Sequence, residues 1–61
     1  MAMKELIQKM LELSIEYELI EAVISLLDTD EQYEKMSREL DHLQSLTTTT
    51  ILGKALLISE E

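Results

Sequence analysis

The chain has no cysteine, no proline, no tryptophan, no phenylalanine, one glycine and one histidine. Without cysteine there is no disulfide, no thiolate metal site and no cysteine nucleophile, and the composition fits a reducing cytoplasm. A single histidine leaves a zinc site dependent on carboxylates, an uncommon donor set. With proline absent and Gly53 the only glycine, few breakers interrupt residues 3 to 46. Cations are scarce as well: five lysines and arginines stand against thirteen acids, a formal net charge of −8. Neutralising phosphate needs clustered Lys and Arg, so this balance argues against nucleic-acid binding and against an anionic membrane surface. The segment 19–27 is too short and too interrupted to span a bilayer, and no signal-peptide pattern opens the chain. The expectation is a soluble, cytoplasmic, protein-binding domain.

Sixty-one residues make one small domain, spanning 1–61. A chain of this size buries only roughly 60% of its unfolded surface. With no disulfide to add stability, self-association is the expected source of further burial.

What is present is helical periodicity. Met3, Leu6, Met10, Leu13, Tyr17, Ile20, Ile24 and Leu27 alternate three and four residues apart, an a/d seam that predicts one helix over 3–27. Ile7, Leu11, Ile15, Leu19, Val23 and Leu26 form a second apolar set, so this helix needs cover on more than one side. Thr29 with Gln32 has the form of a capping box, and Asp30 and Glu31 suit the dipole of a helix starting there. The second helix, over 30–46, carries the narrow stripe Tyr33, Met36, Leu40 and Leu43. Two helices joined by a few polar residues predict an all-α antiparallel hairpin. The surplus face of the first helix then pairs with a second copy as a four-helix dimer, or docks a partner. Thr47 to Thr50 reads as a β-branched hinge. Within the tail, 47–61, the stretch beyond this hinge, Ile51 to Ile58, reads as a short third helix or a loosely docked or disordered segment.

The candidate chemistry lies in Ser37-Arg38-Glu39-Leu40-Asp41 on the second helix. At 3.6 residues per turn Ser37 and Asp41 stand one above the other, with Glu34 and Arg38 beside them and Leu40 turned inward. The same arrangement suits an ordinary solvated face, with Glu34 and Arg38 as an i,i+4 pair. His42 faces away from Ser37, which argues against a serine–histidine–carboxylate triad. Glu5, Glu12, Glu16, Glu18 and Glu21 read as a hydrated face, with a magnesium site as the alternative. Tyr17 and Tyr33 fall on seam positions and are expected in the core, as are the methionines.

Thr29-Asp30, then Tyr33 and Met36, then Ser37-Arg38-Glu39-Leu40-Asp41 resembles the stage-zero sporulation regulatory protein E family of small aspartyl-phosphate phosphatases. That family carries Ser-Gln-Glu-Leu-Asp on its second helix, eight residues after a Thr-Asp helix start. Here four of the five signature positions match, over about residues 29–44, and Arg38 stands in place of the glutamine. A guanidinium donates but cannot accept a hydrogen bond. The resemblance implies dephosphorylation of the receiver domain of a sporulation response regulator, and so negative regulation of the phosphorelay. It implies that Asp41 orients the attacking water and that Ser37 positions it. Arg38, Glu39 and Glu34 would contact the phosphoryl group or the partner, and Leu40 would hold the helix in register. Magnesium is expected on the regulator, with no cofactor or metal bound by this chain. The rival readings are a non-enzymatic helical interaction module, acting as an inhibitor or anti-activator, and a self-assembling bundle.

Overall fold

The apolar seam of the first 27 residues does not run as one helix. In a computed structural model, which describes residues 2–61, α1 spans Ala2–Glu12 and α2 spans Tyr17–Leu26. Ser14 turns the chain between them, with φ at 62° in the left-handed region. The Ser14 amide donates to the Leu11 carbonyl and the Ile15 amide to the Met10 carbonyl, each at 3.0 Å. These two bonds are those of a Schellman ending, which satisfies carbonyls that the helix itself leaves unpaired. Met10 and Ile15, at the two ends of the longer loop, both belong to the core, the apolar pairing that accompanies this motif. The turn also resets the buried face. α1 buries Ala2, Leu6 and Met10, whereas α2 buries Ile20 and Val23. Met3, Leu13 and Tyr17, read as seam residues, are left at the surface, Tyr17 with 68% of its area exposed.

The next boundary follows the sequence reading. α3 spans Asp30–Leu40, and Thr29 Oγ1 accepts the Gln32 amide at 3.1 Å. Gln32 Oε1 in turn accepts the amides of Thr29 at 3.3 Å and Asp28 at 2.7 Å, completing the capping box. The helix ends sooner than its apolar stripe suggested. Asp41 and His42 donate to the carbonyls of Arg38 and Glu39, three residues back, and residues 43–47 leave the helix.

The last segment is neither hinge nor loose tail. α4 spans Thr48–Ser59, with Thr47 Oγ1 accepting the Thr50 amide at 3.2 Å as its N-cap. Threonine is a weak helix former inside a helix and a good cap at its start, so the same residues that suggest a hinge begin α4. Ile51, Ala55 and Ile58 anchor it in the core.

The described chain is therefore all helical, with four helices and no strand. The helices form a ring: α1 lies against α3 and α2, and α4 lies against the same two. The consecutive α2 and α3, expected to fold back on each other, pack little and stand across the ring. The hairpin of two long helices is thus replaced by a four-helix arrangement within one chain. Its physical reason is burial: the surplus apolar face of residues 17–27, expected to meet a second copy, is covered by α4. Hydrogen bonds from two α3 side chains to backbone carbonyls of other elements help to hold the ring. Tyr33 Oη donates to the Leu27 carbonyl at 3.0 Å, and Gln32 Nε2 to the Ile58 carbonyl at 3.3 Å.

Candidate functional site

α3 is flanked by α1 and α4, and this position decides where each signature residue points. Leu40 enters the core, as its place on the apolar stripe requires. Ser37, Asp41, Glu34 and Arg38 fall within about 100° of arc at 3.6 residues per turn, and Glu39 stands on the other flank. Ser37 lines a shallow groove of about 320 Å³ together with Glu5, Gln8, Lys9 and Glu12 of α1. Asp41 caps the C-terminus of α3. Its Oδ1 lies 2.6 Å from Lys9 Nζ, and its side chain keeps 58% of its exposure.

On the α4 side, Lys54 Nζ stands 3.0 Å from Glu39 Oε1. The hydrogen bond and the charge of Lys54 hold the Glu39 carboxyl below the ordinary glutamate range. Glu34 and Arg38 look outward and line a hollow of about 510 Å³ with Lys35 and Glu61. Lys35 Nζ is 2.6 Å from both carboxylate oxygens of Glu61, which fastens the C-terminal residue to α3. Among the described residues no ion pair joins Glu34 to Arg38, the pairing that the i,i+4 spacing offers. His42 is exposed beyond the end of α3.

Three of the five cations thus serve as bridges between elements: Lys9 from α1 to α3, Lys54 from α4 to α3, and Lys35 to the C-terminus. None of the three was legible as a site residue. Each partner lies more than twenty residues away or across a loop, and only the ring brings the charges together. No three Asp, Glu or His side chains converge on a metal-sized site among the described residues. Likewise no described helix is long and apolar enough to cross a membrane.

A third concavity escaped the sequence reading altogether. The α1–α2 turn and the start of α4 form a groove of about 250 Å³ lined by Leu13, Ile15, Leu19 and Leu46, with Ser14, Glu16, Thr47 and Thr48. Leu13 and Leu46 are exposed there, and Glu16 is the only charged residue of the lining. Periodicity places Leu13 inside a helix and Leu46 at the end of one. Both are released to the surface because those helices stop early.

The chain matches no protein-family model, no curated protein and no solved structure.

Proposed function

We propose that this chain is a non-enzymatic helical interaction module that receives an apolar side chain from a cationic segment of another protein. The observation that carries this reading is the groove to which Leu13, Ile15, Leu19 and Leu46 contribute apolar side chains between Ser14, Thr47 and Thr48, with a carboxylate in its lining and no cation. Charge supports it further. With Lys9, Lys35 and Lys54 engaged internally, the surplus of −8 acts on solvent and attracts a basic partner. Self-association is proposed beside this, through a surface other than the groove, because a second copy of net charge −8 is not the cationic partner that the groove takes, while burial between copies adds stability to a small domain without disulfides.

The test is a fluorescence-anisotropy titration with a labelled amphipathic peptide of leucine and lysine. Leu46→Ser removes an apolar wall of the groove and is expected to weaken binding about tenfold, the scale of one buried leucine. Leu11→Ser alters an exposed leucine outside the groove and is expected to leave binding unchanged. Equal affinities in all three proteins would reject the groove.

A second reading is kept for one observation. Asp41 leaves 58% of its side chain exposed one turn from Ser37, a placement that suits orientation of a water for aspartyl-phosphate hydrolysis on a sporulation response regulator. In that reading Lys9 offers a cation to the phosphoryl oxygens, and Arg38 approaches from the outer flank. A phosphate-loss time course with magnesium and substoichiometric protein tests it. Multiple turnovers abolished in Asp41→Asn support the phosphatase, whereas binding of the regulator without turnover favours the module.

A further inference from the structure

We propose that α4 is the self-association surface, pairing antiparallel with the α4 of a second copy about a two-fold axis at Gly53. This deepens the self-association included in the proposed function and rests on it. Ile51, Ala55 and Ile58 face the core. Thr49, Gly53, Leu56 and Leu57 are exposed, and at 100° per residue they occupy the opposite side of the helix. Leu56 and Leu57 keep 49% and 61% of their area in solvent. A helix that is apolar on both sides calls for cover on both.

Charge selects the occupant. Two chains of net charge −8 repel each other over most of their surfaces. Within Thr48–Ser59 the only charged residue is Lys54, and it is turned to Glu39 at 3.0 Å. The outer face of α4 carries no acid from Thr48 to Ser59, so along this stretch two copies can meet without opposing like charges, and the acids nearest the ends of the pairing are Glu60 and, beside Thr47 and Thr48, Glu16. A strongly basic partner would find no carboxylate on this stretch, which separates it from the groove.

Gly53 adds an independent reason. A Cβ built at this position meets nothing within 4 Å, so packing inside the chain does not require glycine. Glycine nevertheless weakens a helix interior relative to alanine. What it permits is close approach of another backbone. Gly53 lies midway between Thr49 and Leu57, so a two-fold axis there sets glycine against glycine and Leu57 against the partner's Thr49. Antiparallel pairing also brings Glu60 towards the N-terminal end of the partner's α4, where the helix dipole favours an acid.

Sedimentation velocity of the full chain over a concentration series tests the proposal, with circular dichroism to follow the fold. The wild type is expected to dimerise with concentration, and Leu57→Glu to weaken dimerisation at least tenfold with unchanged helicity. Gly53→Ala is expected to raise the melting temperature of the monomer and still weaken association. That pair of opposite effects is not produced by a glycine that only tolerates solvent. A chain monomeric at every concentration up to millimolar would overturn self-association and this face together. A dimer indifferent to Leu57→Glu and Gly53→Ala would overturn the face alone. The peptide titration with Leu46→Ser reports on the groove and is decided separately from either result.

Discussion

Lys9 on α1 and Asp41 at the C-cap of α3 meet with 2.6 Å between Nζ and Oδ1. The contact ties the most suggestive carboxylate of the signature to a helix 32 residues earlier in the chain. Both side chains are substantially exposed, 29% and 58%, so the pair is a screened surface bridge. A double-mutant cycle with Lys9→Met and Asp41→Asn is expected to give a coupling of about 0.2–1 kcal/mol by urea denaturation, shrinking in high salt. A coupling well above that range would show that the two charges are held away from water.

Ser14 distinguishes the two helices from the single one that periodicity predicts. In the left-handed region a non-glycine residue is strained by roughly 1–2 kcal/mol. Ser14→Gly relieves this, partly offset by the greater freedom of glycine in the unfolded chain, for an expected net gain of about 0.5–1 kcal/mol. In an unbroken helix over 3–27 the same change would destabilise by about 0.5 kcal/mol. The sign of the shift in the urea midpoint decides between them.

Tyr17 and Met36 reverse the ranking that residue size alone suggests. Tyr17 is exposed and Met36 is wholly buried. Tyr17→Ala is expected to change stability by no more than about 0.5 kcal/mol, the usual range for a surface site. Met36→Ala removes core volume at an expected cost of about 2–5 kcal/mol, comparable to the whole stability of a domain this small. Thermal unfolding of the two variants checks this, and a large loss at Tyr17 would place it back in the core.

The Lys54–Glu39 pair predicts an acid-sensitive contact. Lys54 lowers the folded-state value of Glu39 below its ordinary 4.5. The resulting stabilisation is therefore present above the ordinary value and is lost as pH falls through the lowered one. In Lys54→Met the carboxyl is expected to titrate at higher pH than in the wild type, followed by carbon NMR of the Glu39 side chain. Identical titration curves would mean that the pair does not persist in solution.

Local chemistry was the legible part. The Thr29–Gln32 capping box uses atoms three residues apart, and it appears where the residues place it. Leu40 turns inward because a 3.6-residue stripe leaves it no other face. The ends of the helices were not legible. Ser14 carries none of the usual marks of a helix stop, and the turn exists because Ile15 and Met10 gain a place in the core. α4 was obscured for a related reason. Its apolar residues lie on both sides, so periodicity could not say which side is buried. The groove at Leu13 and Leu46 and the bridges of Lys9, Lys35 and Lys54 followed from those unread breaks.

The sequence by itself determined that this protein is helical, acidic, without cysteine chemistry, and capped at Thr29. Composition, charge and i,i+3 or i,i+4 spacing do not depend on what the rest of the chain does. Only the tertiary structure decided that four helices close a ring, that α4 covers α2, and that the signature residues of α3 are shared between two flanks. Those outcomes depend on burial and ion pairs between residues far apart in the chain. Which of several apolar faces finds cover is settled by the fold as a whole.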